Sequence, residues 1–160
     1  MSSELQQTGA TLPLQVGAPV AIPPLVDRLV SAHGAQWLDS DDVAAWAAEG
    51  GDRIIFLVGD PVRFPEALDV AVVLPELLAR FPQRFRVGVA RREHEDAIAR
   101  RYGSIRWPAL VFVRDGGYVT TLSGMLDWEV FVERVASALD MPTSRAPIAL
   151  RNGNADASCH

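Results

Sequence analysis

The chain has 160 residues, and 49% of them are hydrophobic, which is enough for one domain with a sizeable core. Its formal net charge is −5 and its fifteen cationic residues are all arginine, a balance that argues against non-specific binding to nucleic acid. Its one cysteine, Cys159, excludes a disulfide within the chain, a Cys-x-x-Cys redox pair and a zinc site built from several cysteines.

The first 24 residues are rich in Gln, Thr, Gly and Pro. Prolines recur from Pro13 to Pro24 and would break a helix there, so we predict a mobile N-terminal arm over residues 1–24. The apolar residues of this arm follow no basic cluster, unlike those of a signal peptide. No apolar run in the chain approaches the ~20 residues of a spanning helix. We therefore expect a cytoplasmic protein without membrane insertion.

Helices and strands alternate from residue 25 to residue 90. Apolar residues at helical spacing begin at Leu25 and stop before Gly34, a residue type that often ends helices. The continuous apolar run from Arg53 to Gly59 is typical of a strand buried on both faces. The predicted elements are a helix over 25–32, a strand over 35–38, a helix capped by Asp39 or Ser40 and stopped by Gly50-Gly51, a strand over 53–59, a helix over 68–81 and a strand over 85–90. The helix over 68–81 should be kinked at Pro75, and its predicted apolar face is formed by positions 68, 72, 73, 77, 78 and 81.

The remaining elements are a helix, a hairpin and a last helix. The helix over 93–102 has acids at its start and arginines at its end, an order that suits the helix dipole. Asp115-Gly116-Gly117 lies between two apolar runs and favours a tight turn, because such turns need positive φ. The last helix covers 127–139, and residues 142–160, rich in Pro, Ser, Asn and Gly, are predicted to be a disordered tail. The predicted core face of the last helix is Trp128, Phe131, Val132, Val135 and Leu139.

This alternation predicts an α/β fold, with a mostly parallel central sheet, helices on both faces and the hairpin as an antiparallel edge. The order resembles the thioredoxin fold over about residues 36–140. Three local features carry the resemblance: Pro75 within a helix, Tyr102-Gly103 ahead of Pro108, and Gly124 after the hairpin. We accordingly predict a thioredoxin-like domain at 25–141, and the resemblance implies a cis bond between Trp107 and Pro108.

The redox chemistry of thioredoxins is absent from this sequence. Their two cysteines stand eight and five residues before the helix proline, and those positions are Ala67 and Val70 here. Disulfide exchange needs an attacking thiolate and a resolving thiol, so we expect a redox-inactive domain. One alternative is a protein related to thiol-disulfide oxidoreductases that uses Cys159 with a partner thiol, and another is a generic thioredoxin-like interaction module. No pattern indicates a catalytic site, a cofactor or a metal.

A narrower resemblance rests on two motifs. The loop from Asp60 to Asp69 reads Asp-Pro-x-Arg-x-Pro-Glu-x-x-Asp, and Trp107-Pro108-Ala109 enters the hairpin. In both, the chain resembles the [NiFe]-hydrogenase expression/formation proteins of the HyaE/HupG/HoxO type, which are thioredoxin-like and lack the cysteine pair. The resemblance implies a chaperone rather than an enzyme. Its partner would be the hydrogenase small-subunit precursor with its twin-arginine signal peptide, held back from export until its iron–sulfur clusters are in place, and another hydrogenase maturation protein is a second candidate partner.

Charge is distributed unevenly along the predicted domain. Residues 35–76 contain nine acids and two arginines, a balance of −7, and residues 77–106 contain eight arginines and three acids, a balance of +5. Carboxylates would attract paired arginines, because guanidinium binds them bidentately; the alternative is that both sections are merely solvated. The candidate partner-binding residues are Asp60, Arg63, Glu66, Asp69, Glu76, Trp107 and Pro108.

Overall fold

The computed structural model describes residues 21–148. Most of the predicted arm and the last part of the predicted tail, including Cys159, lie outside this range. Every predicted helix and strand is present, and no described helix has both the length and the apolar character needed to span a bilayer. The elements are α1 (Pro24–His33), β1 (Gln36–Leu38), α2 (Val43–Ala47), β2 (Asp52–Leu57), α3 (Glu66–Arg80), β3 (Arg86–Ala90), a 3-10 turn (Arg92–His94), α4 (Glu95–Tyr102), β4 (Ala109–Arg114), β5 (Gly117–Ser123) and α5 (Trp128–Asp140).

The five strands form one mixed sheet in the order β1-β3-β2-β4-β5. The first three strands are parallel, and β4 and β5 are antiparallel additions, which confirms the predicted α/β arrangement with an antiparallel edge hairpin. We call the end of the sheet where Leu57 pairs with Ala109 the loop end. We call the opposite end, where Asp52 pairs with Arg114, the hairpin end.

The central strand β2 divides two apolar cores. Its side chains point alternately to the two faces, and residues 54–57 are fully buried, as the continuous apolar run predicts. Each fully buried apolar side chain of this size contributes about 1.5–3 kcal/mol to folding. One face of the sheet packs against α1, α3 and α5, and the other face packs against α2 and α4.

The buried face of α3 differs from the predicted one. Val72, which we predicted to be in the core, is 51% exposed. The side chains that face the sheet are largely small, and a prediction based on the spacing of large apolar residues does not detect them. The buried residues of α3 are Ala67, Val70, Ala71, Leu74 and Leu77.

Two smaller predictions about helices are wrong. The second helix is not capped by Asp39 or Ser40, because it begins only at Val43, after a turn. Trp128 is 40% exposed rather than in the core, because it is the first residue of α5 and lies at the edge of the apolar face. Phe131 of the same helix is fully buried, as predicted.

The segment 142–148 contacts the sheet, so the prediction of a disordered tail is wrong for these residues. The backbone N–H of Ser144 donates to the carbonyl of Tyr118 at 2.7 Å, and the two residues form an isolated bridge. Further along, the Pro147 carbonyl lies where a Cβ on Gly103 would stand, so the segment reaches the loop after α4. These contacts cover the first part of the outer edge of β5, which would otherwise be open to pairing with another chain.

One guanidinium connects three elements at the hairpin end. Arg114 donates from Nε to Asp52 Oδ1 at 2.8 Å, which joins β4 to β2. Its Nη2 donates to the carbonyls of Ala138 and Leu139 at 3.0 Å, and its Nη1 donates to the Met141 carbonyl at 2.6 Å. The Ala138 carbonyl also accepts a hydrogen bond from the Met141 N–H at 3.2 Å, and Arg114 completes the cap at the C-terminal end of α5.

Candidate functional site

The loop between β2 and α3 forms a compact turn at the loop end of the sheet. The Asp60 carboxylate accepts a hydrogen bond from the Val62 N–H at 2.9 Å, and the Asp60 carbonyl accepts one from the Phe64 N–H at 2.8 Å. These two bonds direct Val62 outward, where its side chain is 87% exposed. The Arg63 guanidinium lies 5.3 Å from the centre of the Phe64 ring. The turn therefore presents both an apolar and a cationic side chain to solvent.

This turn packs directly against Trp107. Gly59 has a φ of +78°, and a Cβ added to it would lie 2.9 Å from Cβ of Trp107 and 3.1 Å from the Phe64 ring. Any side chain at Gly59 would therefore push the loop away from Trp107. The close approach shows that the two motifs that carry the family resemblance, the one that begins at Asp60 and the one around Trp107, lie side by side.

The Trp107–Pro108 peptide bond is cis, as predicted. Pro108 itself is buried, and its carbonyl accepts a hydrogen bond from the Gly124 N–H at 2.8 Å. Trp107 is half-buried and keeps an accessible side. The bond to Gly124 brings Met125, which is 40% exposed, to the same end of the sheet. Of the predicted pair, Trp107 has accessible surface, and the buried Pro108 links the loop to Gly124.

A buried carboxylate fixes the start of the β2–α3 loop. Glu95 is 1% exposed, and its Oε2 accepts hydrogen bonds from the N–H groups of Val58 at 2.8 Å and Gly59 at 3.0 Å. Its Oε1 accepts from Arg92 Nη1 at 3.1 Å. Burial raises the pKa of the Glu95 carboxyl above its ordinary value, and the two backbone donors and Arg92 oppose that rise.

Our sequence interpretation treated Glu95 only as an acid that suits the start of a helix. A signal for its role is nevertheless present. Glu95 stands at i, with Ile98, Ala99 and Tyr102 at i+3, i+4 and i+7, and all four are buried. An acid on the apolar face of a helix indicates a buried carboxylate with dedicated donors.

Three predicted carboxylates lie around this loop, and we name them the acidic surface: Asp60, Glu66 and Asp69. None of the three has an ion-pair partner among residues 21–148. Glu66 and Asp69 lie in the first turn of α3, where the helix dipole favours negative charge. They are three residues apart, so they share one side of the helix. The acidic surface therefore has unpaired negative charge beside Trp107.

Glu76 does not belong to the acidic surface. It lies ten residues after Glu66 on α3, which corresponds to about 15 Å of helix rise. It lines a separate groove between α1 and α3, beside Leu25 and Arg28. The structure therefore brings Asp60 and Trp107 together with the first turn of α3 but separates Glu76 from them.

The acidic sequence section as a whole does not form one surface either. Several of its carboxylates are already paired and lie elsewhere. The pairs are Asp39 with Arg91 at 2.9 Å, Glu49 with Arg53 at 3.4 Å, and Asp52 with Arg114 at 2.8 Å. A sum of charges along the sequence cannot separate such pairs from free carboxylates.

The positions of the thioredoxin cysteines are part of the core. Ala67 is 0% exposed and Val70 is 1% exposed, so both small side chains pack under α3 instead of facing a ligand. Within residues 21–148, no three His, Cys, Asp or Glu side chains are grouped so that they could hold a metal ion. The described part of the site offers charge, apolar contact and backbone groups.

One side-chain cluster escaped the sequence interpretation. His94 Nδ1 lies 2.9 Å from the Ser40 hydroxyl and also accepts a hydrogen bond from the Ser40 N–H at 3.1 Å. Because Nδ1 accepts the backbone N–H, this contact connects the end of β1 to the turn before α4. Ser40 and His94 are 54 positions apart in the sequence, which explains why no local pattern revealed the contact.

Comparison with known proteins assigns the chain to a family. Residues 25–131 match the family model described as "Hydrogenase-1 expression protein HyaE". The chain is 53% identical to a hydrogenase expression/formation protein HoxO of Cupriavidus necator over 88% of this chain and 90% of that protein. It is 39% identical to a HupG protein of Bradyrhizobium diazoefficiens over 73% of this chain and 82% of that protein.

The fold comparison agrees with the observed topology. Desulfothioredoxin from Desulfovibrio vulgaris Hildenborough superimposes with a TM-score of 0.55 at 24% identity, over 65% of this chain and 97% of that chain. This similarity confirms the predicted thioredoxin-like fold. Together with the sequence matches and the adjacent Asp60 and Trp107 motifs, it shows that the chain belongs to the HyaE family of hydrogenase expression/formation proteins.

Proposed function

We propose that the protein is a cytoplasmic chaperone for maturation of a [NiFe] hydrogenase. It binds the small-subunit precursor through the twin-arginine signal peptide and releases it after maturation. Membership of the HyaE family supports the link to a hydrogenase. The precursor and its signal peptide are the ligand that the family resemblance implies, and the chemistry of the site supports that choice.

The observation that carries this proposal is the unpaired negative charge beside Trp107. Asp60, Glu66 and Asp69 have no ion-pair partner among the described residues, so their carboxylates are available to a cationic ligand. Two adjacent arginines can each form a bidentate pair with a carboxylate. Charge of opposite sign also speeds encounter, which suits capture of a precursor soon after synthesis.

Apolar side chains around the acidic surface suit the rest of such a ligand. A signal peptide carries an apolar stretch after its basic residues. Val62 and Met125 are exposed, and Trp107 is half-buried at the same end of the sheet. Trp107 stands two residues before the first residue of β4, so its backbone groups lie outside the β2–β4 ladder, which supports pairing with an extended segment of the ligand.

The same geometry supports binding without catalysis. Ala67 and Val70 offer no thiol and are enclosed in the core. Glu95 is fully occupied by two backbone donors and Arg92, so it acts on the shape of the loop. We therefore infer a role in holding the precursor, with no bond made or broken by the protein.

Calorimetric titration of the full chain with the signal-bearing precursor, at low salt, tests the proposal. We expect binding that weakens as salt is raised. The double substitution Glu66→Lys with Asp69→Lys should lower the affinity at least about tenfold, because each lost charge pair is worth about 1 kcal/mol and each new lysine repels an arginine.

The matched control is Glu133→Lys with Asp140→Lys, which makes the same change in net charge on the exposed side of α5. This control should bind like the original protein. Equal weakening by the two double variants would show that only net charge matters and would reject the acidic surface as the site. Absence of binding at low salt would reject the precursor as the ligand.

A further inference from the structure

A large recess lies at the hairpin end of the sheet, opposite the acidic surface. It has a volume of about 560 Å³, within the range of ligand clefts. Buried Phe85 and Val87 supply apolar lining, and exposed Arg84 and Arg86 lie on either side of Phe85 in the sequence. We refer to it as the arginine recess.

The two arginines of this recess carry uncompensated charge. Arg84 and Arg86 have no carboxylate within ion-pair distance among residues 21–148. Among residues 21–148, the one acid that lines the recess is Asp52, and its Oδ1 is 2.8 Å from Arg114 Nε. The nearby Asp115 carboxylate accepts a hydrogen bond from the Gly51 N–H at 2.8 Å.

Two glycines form one wall of the recess. Gly50 and Gly51 form part of its wall with φ values of +117° and +79°, and a Cβ on Gly51 would meet nothing within 4 Å. Two adjacent residues without side chains leave room for a second chain to approach. A recess of about 560 Å³ with apolar lining beside two exposed guanidinium groups fits a peptide better than an inorganic anion.

We propose that the arginine recess binds an acidic peptide segment of a partner protein. Carboxylates of the segment pair with Arg84 and Arg86, whose planar groups match a carboxylate bidentately. Apolar side chains of the segment contact the half-buried Leu78, which also lines the recess. The site is separate from the acidic surface and has the opposite charge, so one protein molecule can hold a basic segment at one end and an acidic segment at the other.

The test is fluorescence anisotropy with the full chain and a short fluorescein-labelled peptide of leucine, aspartate and glutamate. Binding should be tightest at low salt and should fall as salt screens the charges. The substitution Arg84→Ala with Arg86→Ala should lower the affinity about tenfold or more. The control Arg100→Ala with Arg134→Ala, which removes two exposed arginines outside the recess, should leave the affinity within about twofold.

Two further probes identify the ligand chemistry. A peptide with asparagine and glutamine in place of the acids should not bind, and inorganic phosphate should compete only weakly. Equal binding of the uncharged peptide, or equal loss in the control variant, would overturn the proposal. Full displacement by phosphate at low concentration would make the recess a small-anion site instead. None of these outcomes depends on the acidic surface, so this proposal and the chaperone proposal fail separately.

Discussion

The two ends of the sheet are each fixed by one ionic side chain, and the two side chains have opposite charge. At the loop end, Glu95 accepts hydrogen bonds from the backbone N–H groups of Val58 and Gly59. At the hairpin end, Arg114 donates to Asp52 and to three carbonyls at the end of α5. In each case one side chain compensates backbone groups that the sheet and helices leave without partners.

The difference between the two lies in solvation. Arg114 is 23% exposed, has a carboxylate partner and stands at a helix C-terminus, where a cation is favoured. Glu95 is 1% exposed, and burial raises its pKa despite its donors. The contacts of Arg114 at the hairpin end therefore stabilise the fold. At the loop end, desolvation of the Glu95 carboxylate costs free energy, and the carboxylate fixes the shape of the loop beside Trp107.

The first way to test this comparison is to remove the guanidinium. Arg114→Ala would remove the donor to Asp52 and to the carbonyls at the end of α5, of which that of Ala138 keeps a second donor, the Met141 N–H. Hydrogen bonds to charged groups are worth about 1.5–3 kcal/mol each, and their contributions are not fully additive. We expect the free energy of unfolding, measured by urea denaturation, to fall by about 3 kcal/mol. This is the largest effect expected outside the apolar core.

The control for Arg114→Ala is Arg134→Ala on the exposed side of α5, which should change the free energy of unfolding by less than about 0.5 kcal/mol. A loss below about 1 kcal/mol for Arg114→Ala would mean that water replaces the guanidinium at the end of α5.

The second test removes the carboxylate at the loop end. Glu95→Ala leaves the N–H groups of Val58 and Gly59 unpaired but also removes a desolvated charge, so we expect a smaller loss, about 2 kcal/mol. Glu95→Gln keeps one acceptor and should recover part of that loss.

Binding of the signal-bearing precursor separates a structural effect from an effect on the site. If Glu95 shapes the loop, Glu95→Ala weakens precursor binding at temperatures where the variant is fully folded, and Arg114→Ala does not. Equal affinities for the two variants would show that the loop keeps its shape without Glu95.

The order of elements was predictable from the sequence because its strongest signals are local. The apolar run at residues 53–59, the Asp115-Gly116-Gly117 turn and Gly34 at the end of a helix each depend on neighbouring residues. The structure has β2, a hairpin turn and the end of α1 at these places.

The buried face of α3 and the segment 142–148 were not predictable in this way. Ala67 and Ala71 are buried because the helix lies close to the sheet, and their small size is what permits that approach. The contact of Ser144 with Tyr118 depends on the position of α5, which the composition of the tail does not encode.

The candidate site was predictable only in part. The motifs around Asp60 and Trp107 were recognised separately, and the close approach at Gly59 shows that they form one surface. Glu76 was grouped with them because charge was summed along the sequence, although the rise of α3 places it about 15 Å away. Distances along a helix axis should be applied before charges are summed.

The smallest expected effect, and the sharpest for the comparison, is the pH dependence that Glu95 confers. The pKa of Glu95 is higher in the folded protein than its ordinary value of 4.5. At pH values between the unfolded and the folded pKa, the folded state therefore holds a proton that the unfolded state has lost. The stabilisation from this proton is complete below the unfolded pKa and disappears as pH rises through the folded pKa. The free energy of unfolding of the original protein, minus that of Glu95→Gln, should therefore fall as pH rises through the unfolded pKa and become constant above the folded pKa.

Substitution of Arg92 tests the same pH dependence at a different pKa of Glu95. Its charge lowers the pKa of Glu95, so Arg92→Ala should move the interval of falling stability to higher pH. Urea denaturation at a series of pH values, with Glu95→Gln subtracted in each background, measures both shifts. A difference that rises with pH would mean that the N–H groups of Val58 and Gly59 outweigh burial. The two ends of the sheet would then both be held by charges that stabilise the fold, because a carboxylate with two backbone donors and Arg92 would have overcome its desolvation.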